Sequence, residues 1–255
     1  MSGIKIYTNN WLGLTHKEYW NSYEGDTGVI GEKVSDYLSQ MFYRLLGAGG
    51  DYYRTPNGPF NGLIIETWNS YRSDCPSGIK SNCGLAYNSP NLIQINHRCV
   101  GPSVYSHEYG HHYAFWSGLF NNLLPTDIGY DLFVTYEKMR KQDVTINTNL
   151  VERFAEDFKY FFGADTVAGV LDPNDDANKN LGVRWAKDVQ GLQFFIKGVF
   201  PVFNYLKNKK RNNGYWNFEY RQAQNMFMWW NGYRWECYGA NGNFFYWNNS
   251  TWIRY

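Results

Sequence analysis

The chain is poor in charged residues: Asp, Glu, Lys and Arg make up 18% of 255 residues, and the formal net charge is +1. It has no basic field that would attract nucleic acid, and no acidic or basic tail. The apolar stretch LQFFIKGVF at 192–200 contains a lysine and is too short to span a bilayer. These absences argue against nucleic-acid binding and against a membrane span.

The first residues, MSGIKIYTNNW, lack the apolar run of a secretory signal. Either the protein stays in the cytoplasm, or a signal was removed and Met1 precedes the mature chain. Aromatic residues, in contrast, are abundant at 20%, with 22 Tyr and 11 Trp. Many Tyr, Trp, Asn and Gly residues with few charges are common in secreted proteins that meet carbohydrate or cell-wall material. We therefore expect an extracellular protein, with the cytoplasm as the alternative.

Cysteine occurs four times, and no C-x-x-C is formed, which argues against a zinc ribbon or a thioredoxin-type site. Cys75 and Cys83 bracket a turn-rich loop that a local disulfide would close. A Cys99–Cys237 bridge would then be the second, although four cysteines permit three pairings and the sequence does not select one. Four free thiols are the alternative, although the even count favours disulfides.

The spacing of apolar residues predicts an α+β fold, with strands that precede helices. Strands are predicted at 62–68 and 91–97, and helices at 29–46, from Pro102, at 130–141, at 148–162 and at 183–206. We interpret Asn91–Asn96 as an edge strand to which an extended peptide would pair.

The end of the chain contains a short repeat. MFMWWNGYRWECY (226–238) and NFFYWNNSTWIRY (243–255) align at an offset of seventeen residues, so that Trp230 matches Trp247. Asn231-Gly232 lies between two aromatic runs and predicts a hairpin with a type I′ turn. Two tandem hairpins would form a small β unit. We therefore predict a larger domain at 1–210 and an aromatic β-hairpin region at 211–255, which either packs on the first domain or binds a ligand.

One segment carries a candidate metal site. Residues 107–111, HEYGH, fit H-E-x-x-H. On a helix, residues four apart share a face, so the imidazoles of His107 and His111 can reach one ion, and such nitrogens suit Zn²⁺. Glu108 would take a proton from a zinc-bound water. Gly110, a poor helix former, would let a strand or substrate approach closely. A helix with two surface histidines and an incidental glutamate is the alternative.

A catalytic zinc needs a third protein ligand and an open position for water. The pattern H-E-x-x-H-x-x-G-x-x-H fails, because the later positions hold Ala114 and Ser117. No histidine follows His112, so a carboxylate is favoured over a cysteine as the third ligand.

The best candidate is Glu152, in LVERFAEDF at 150–158. Glu156 lies one turn later on the same helix face, where it would accept a hydrogen bond from a ligand histidine. Asp127 and Asp131 are alternative ligands. A solvated helix face is the alternative role for the two glutamates.

The pairing of H-E-[FY]-G-H with E-x-F-A-E-x-F resembles the gluzincin metallopeptidases, in particular the anthrax lethal factor-like catalytic domains and their small secreted relatives. The resemblance covers roughly residues 85–205 and is specific in the two motifs. It implies a zincin-like domain in which a small sheet is followed by helices. It also implies zinc ligands at His107, His111 and Glu152, with Glu108 as general base and Glu156 behind a ligand histidine.

This chain departs from the family at one position. The family places an oxyanion-stabilising tyrosine before the zinc glutamate, and Thr145 stands there in this sequence. A different hydroxyl must then serve, and the candidates are Tyr130, Tyr136, Tyr160 or another aromatic hydroxyl.

These features predict a zinc endopeptidase that uses one catalytic Zn²⁺ and cleaves a protein or peptide substrate. One alternative is a carbohydrate- or cell-wall-binding protein on a degenerate zincin scaffold, with Trp and Tyr of the C-terminal hairpins stacked on sugar rings. Another is a zinc hydrolase of a non-peptide amide. The hairpin aromatics would otherwise form a small core.

Overall fold

Two five-stranded sheets and six α-helices make up the described part of the chain, which gives the predicted α+β class. A computed structural model describes residues 2–9, 13–21, 30–46, 61–87, 89–120, 128–141, 150–163, 189–207, 209, 218–221, 226–239 and 241–255. None of the helices described is long and apolar enough to cross a membrane.

The chain divides into two compact units. One contains residues 1–46, 51–113 and 154–170, and the other contains 47–50, 114–153 and 171–255. The first sheet belongs to the former unit and the second sheet to the latter. The predicted boundary between residues 210 and 211 lies outside the described residues.

The first sheet mixes parallel and antiparallel pairs. Its strands, in spatial order, are β1 (Ser2–Asn9), β2 (Leu14–Asn21), β3 (Ile64–Trp68), β5 (Leu92–Asn96) and β4 (Gly84–Tyr87). Strands β2–β3 and β3–β5 pair in parallel, whereas β1–β2 and β4–β5 are antiparallel. The predictions for β3 and β5 are confirmed. Strands β1, β2 and β4 were not predicted.

The edge-strand interpretation of Asn91–Asn96 is wrong. Strand β5 lies between β3 and β4 and pairs with both, so its backbone groups are already bonded. Among the described strands, β4 pairs only with β5 and forms that edge of the sheet. Strand β4 precedes β5 along the chain but lies outside it in the sheet. The alternation of apolar and polar residues along β5 does not reveal this order.

Helices cover both faces of the first sheet. Helix α1 (Ile30–Leu46) follows β2, and its buried Leu38, Met41 and Leu45 recur at helical spacing. On the other face, α2 (Ser77–Ser81) buries Ile79 against Trp68.

The disulfide prediction is wrong in its pairing. Cys83 is bonded to Cys99, while Cys75 and Cys237 are buried free thiols. Cys83 immediately precedes β4, and Cys99 ends the 3-10 turn His97–Cys99 that follows β5. Because β4 and β5 are antiparallel neighbours, their outer ends meet and the two Cα atoms lie 5.3 Å apart.

The remaining helices are α3 (Pro102–Trp116), α4 (Ile128–Lys141), α5 (Leu150–Phe162) and α6 (Leu192–Leu206). Each prediction is confirmed except for the start of the last, where Gly191 adopts a left-handed φ of 77° immediately before α6. Residues 183–188 and the predicted polar loop at 172–182 lie outside the described residues.

The second sheet is an antiparallel meander in chain order: β6 (Phe218–Arg221), β7 (Met226–Trp230), β8 (Trp235–Gly239), β9 (Phe244–Trp247) and β10 (Trp252–Arg254). The two predicted hairpins are β7–β8 and β9–β10. One face packs on α6, where Phe227 meets Phe195 and Phe244 stacks on Tyr205 at 4.2 Å.

The predicted type I′ turn is wrong. It requires φ > 0 at both Asn231 and Gly232, yet only the glycine is left-handed, at 99°. The strands end at the Trp230–Trp235 pair, which leaves a four-residue loop. The Asn231 side chain accepts hydrogen bonds from the N–H groups of Tyr233 and Arg234, and this turn replaces the shorter one.

Candidate metal centre

Helix α3 brings two imidazoles together. Pro102 opens the helix, where its missing N–H costs nothing, and the left-handed Gly118 follows its end. The Nε2 atoms of His107 and His111, one turn apart, are separated by 3.1 Å. Nitrogens held at about 2.0–2.1 Å by a tetrahedral zinc lie roughly 3.3 Å apart, so the spacing suits one ion.

Helix α5 crosses α3 closely beside these histidines. A Cβ atom at Gly110 would lie 2.8 Å from the Cα of Ala155 and 3.0 Å from the Cβ of Phe158. The prediction that Gly110 admits a strand or substrate is therefore wrong. The glycine instead admits the backbone of the helix that carries the second motif.

The crossing places the Glu152 carboxylate with the two imidazoles. One ligand atom from each of His107, His111 and Glu152 lies within 4.8 Å of the others. Among the described residues, this is the one group of three or more His, Cys, Asp or Glu side chains that could hold a metal ion. Glu152 is exposed, whereas His111 is buried.

Glu156 is hydrogen-bonded to His107 on the side of the imidazole ring away from His111. Its Oε1 lies 2.7 Å from Nδ1 of His107, and its Oε2 is paired with the buried Lys159. Burial alone would lower the pKa of His107, but the bond to Glu156 and its charge raise it above the usual value. Burial opposes ionisation of Glu156, yet His107 and Lys159 lower its pKa to about 2. The carboxylate therefore remains charged and accepts the Nδ1 proton, which leaves Nε2 of His107 for a ligand.

Glu108 is buried on the side of α3 that meets the first sheet. A Cβ atom at Gly84, the first residue of β4, would lie 2.5 Å from Oε1 of Glu108. No other residue type fits there without moving the carboxylate. One turn earlier, the Tyr105 hydroxyl lies 2.6 Å from Oγ1 of Thr67 on β3, which fixes the helix against the same sheet.

The other candidates lie apart from this group. Asp131 is buried on α4 and is not a member of it. Asp127 and Thr145 lie outside the described residues. His112 is fully buried with its ring 5.5 Å from that of Tyr109, which agrees with a packing role.

Two of the three oxyanion candidates are partly exposed. Tyr130 lies on α4 and Tyr160 on α5, each with part of its side chain open to solvent. Tyr136 is fully buried, with its ring 6.2 Å from that of Phe195.

Sequence reasoning missed three residues that position the group: Gly84, Ala155 and Lys159. Ala155 had a signal, since it lies in the E-x-F-A-E motif and is small, as Gly110 is. Gly84 had none, because nothing local marks residues 84–87 as a strand beside Glu108.

Comparison with known proteins adds no relative. No protein-family model matches the chain, and neither the curated proteins nor the solved structures searched contain a significant match. The gluzincin resemblance therefore rests on the two motifs and on where their residues lie.

Proposed function

We propose that the protein is a zinc-dependent endopeptidase of the gluzincin type, with a zincin-like catalytic domain. The observation that carries this proposal is the convergence of His107, His111 and Glu152, one ligand atom each, within 4.8 Å. Two imidazole nitrogens and a carboxylate oxygen are the donor set of a catalytic zinc site with an open fourth position.

The chain's own residues fit that ion. Glu156 fixes the tautomer of His107 by accepting its Nδ1 proton at 2.7 Å, so that the Nε2 lone pair faces His111. When bound, zinc would polarise the scissile carbonyl and lower the pKa of a water to about 7. Tyr130 and Tyr160 are the remaining exposed candidates for the hydroxyl that stabilises the oxyanion.

Glu108 acts as general base in this proposal. It takes a proton from the attacking water and delivers it to the leaving amine. Its buried position beside the backbone of Gly84 restricts where the carboxylate can point. A general base must stay within hydrogen-bond reach of the proton that it moves.

Strand β4 replaces Asn91–Asn96 as the strand to which a substrate would pair. It is the edge of the first sheet among the described strands, and it begins beside Glu108. An extended peptide that adds to this edge gains main-chain hydrogen bonds. Its scissile bond would then lie near the carboxylate.

The Cys83–Cys99 disulfide favours the extracellular location predicted from composition. Disulfides persist in oxidising compartments and are rare in the cytosol. We therefore extend the proposal to a secreted peptidase.

The alternatives make different use of the same residues. A scaffold that had lost its activity would not need to retain the general base or the metal ligands. This chain retains all four residues, His107, Glu108, His111 and Glu152. A hydrolase of a non-peptide amide would need no strand edge for its substrate, whereas β4 is such an edge among the described strands. Both features favour the peptidase.

The test uses a proteome-derived peptide library with zinc-loaded wild type and Glu108→Gln, and new termini are read by mass spectrometry. We expect cleavages with wild type alone, and one zinc per chain in both proteins by elemental analysis. The substitution retains shape and removes the base, so metal binding is unaffected. Cleavage by Glu108→Gln at the wild-type rate would show that the base is another residue. Loss of zinc from His107→Ala together with His111→Ala checks the ligands independently.

A further inference from the structure

Four tryptophans form a row across one end of the second sheet. Trp230 pairs with Trp235 across β7 and β8, and Trp247 pairs with Trp252 across β9 and β10. The Cys237–Phe245 pair between β8 and β9 puts Trp235 and Trp247, two residues away on each strand, on the same face. With strands about 4.8 Å apart, the row spans roughly 14 Å.

The row lies on the face of the sheet opposite α6. Trp235 and Trp252 pack against Met226, Met228 and Cys237, a small buried cluster on the same face of the sheet. Trp230 is 45% exposed, and Trp247 is partly exposed. Each cross-strand pair is in ring contact, with centroids 5.7 Å apart in the first and 5.5 Å in the second. We call Trp235 and Trp252, which contact this cluster, the inner rings, and their cross-strand partners Trp230 and Trp247 the outer rings.

The two halves of the row are structurally equivalent. The turns that bound them are closed alike, by bonds of 3.1 Å from Asn231 N to Arg234 O and 3.2 Å from Asn248 N to Thr251 O. Trp230 and Trp247 precede these two turns, which is the seventeen-residue offset of the sequence repeat. The chain thus presents the same outer tryptophan twice.

The four positions of the row are all tryptophan, and the charged residues of this face lie at other positions. Alternation along β7–β10 places Arg254 there. The register of β6 places Glu219 and Arg221 opposite Met228 and Met226 on the same face, away from the row. Arg234 lies over the ring of Tyr246 and Glu236 is bonded to the indole of Trp229, both on the opposite face. The turn beside the second pair is exposed and neutral, with amide and hydroxyl groups at Asn248–Thr251.

We infer that the tryptophan row binds a neutral polysaccharide. The C–H faces of sugar rings stack on indole faces, and sugar hydroxyls suit the neutral amides and hydroxyls at the rim. A charged polymer would need countercharges along the row, and its four positions are all tryptophan. Two equivalent outer rings would engage two points of one chain, so that binding gains from avidity. This function is separate from peptide cleavage, and it would hold the enzyme on a polysaccharide matrix.

The test measures retention of the full chain on insoluble cellulose, chitin and β-1,3-glucan, with heparin-agarose as the charged control. We expect wild type to be retained on at least one neutral polymer and to be released by the matching soluble oligosaccharide. Trp230→Ala with Trp247→Ala should weaken retention about tenfold or more, because both contact points are lost. These two positions leave the inner pair and its cluster in place.

Matched variants separate stacking from folding. Trp230→Phe with Trp247→Phe keeps two ring faces and should restore part of the retention, while Tyr43→Ala removes an aromatic that is 63% exposed on α1 and should change nothing. Circular dichroism confirms that each variant is folded. Because retention is read without cleavage, its outcome is independent of the peptidase test.

Three outcomes would overturn the inference. The first is a folded wild type that none of the three neutral polymers retains. The second is equal retention of the double alanine variant. The third is a dimer in sedimentation that this variant abolishes, because a second copy of the chain would then cover the row.

Discussion

The two five-stranded sheets differ in how the order of their strands in space relates to their order along the chain. In the second sheet the spatial order follows the chain, and adjacent strands are separated by four residues along the sequence. In the first sheet β5 is inserted between β3 and β4, and β2 joins β3 across residues 22–63. In the first sheet, the insertion of β5 leaves β4 at an edge of the described strands, beside Glu108. The order of the second sheet places a repeated aromatic row on a face.

The interiors differ as well. The first sheet buries polar groups such as His16, which is bonded to Thr67 at 2.9 Å, whereas the second is aromatic on both faces and buries Glu236. Each region contains a carboxylate with several partners. Glu156 orients a histidine, and Glu236 accepts hydrogen bonds from Trp229, Asn231 and Tyr255. Similar bonding therefore serves a candidate metal centre in one region and a turn in the other.

Breaking the disulfide should have the largest effect, and it should act on the first sheet. Cys83→Ser with Cys99→Ser removes a link across 16 residues, for which loop closure predicts a loss of about 3 kcal/mol in the free energy of unfolding. Urea denaturation with and without dithiothreitol measures it. Reductant should destabilise wild type and leave the double variant unchanged. Burial raises the pKa of the Cys75 thiol above its usual value. Burial also raises the pKa of the Cys237 thiol, to about 12, so neither thiol should react with iodoacetamide before unfolding.

The same substitution at two helix glycines should sharpen the comparison. Gly110→Ala sets a methyl group against the backbone of Ala155 at 2.8 Å, and we expect a loss of about 2 kcal/mol in unfolding free energy. Gly198→Ala on α6 meets the ring of Tyr238 at 3.2 Å, and the ring can shift. There the gain in helix propensity, about 1 kcal/mol, should offset the contact. Equal melting temperatures for the two variants would contradict the close helix crossing.

Neutralising the two carboxylates should give the smallest but most selective effects. Glu156→Gln should weaken zinc binding at least about tenfold, because His107 loses the charged acceptor that orients it. Glu236→Gln should leave zinc affinity unchanged and lower the free energy of unfolding by about 1 kcal/mol. Competition with a chromogenic chelator measures the first quantity, and denaturation the second. A drop in zinc affinity caused by Glu236→Gln would contradict the assignment of Glu156 to the metal centre and of Glu236 to the turn.

Local patterns predicted what depends on local geometry. The helical spacing of His107 and His111 and the two hairpins were readable from the sequence because a few consecutive residues determine them. The edge strand and the disulfide partner were not, since both depend on β5 entering between β3 and β4. The predicted type of the turn at Asn231 was also wrong. The Asn231 side chain accepts a hydrogen bond from the N–H of Tyr233, which favours the longer, four-residue loop. The roles of the metal-site residues remain predictions, as no ligand or relative tests them.

The meander of the second sheet also has a kinetic meaning. Its paired strands are separated by only a few residues along the chain, so little conformational entropy is lost when each pair forms. We therefore expect this sheet to form quickly. The first sheet must wait for contacts that are distant along the chain. Synthesis proceeds in the opposite order, since β1–β5 leave the ribosome before β6–β10. We therefore expect the region made first to be the slower to fold.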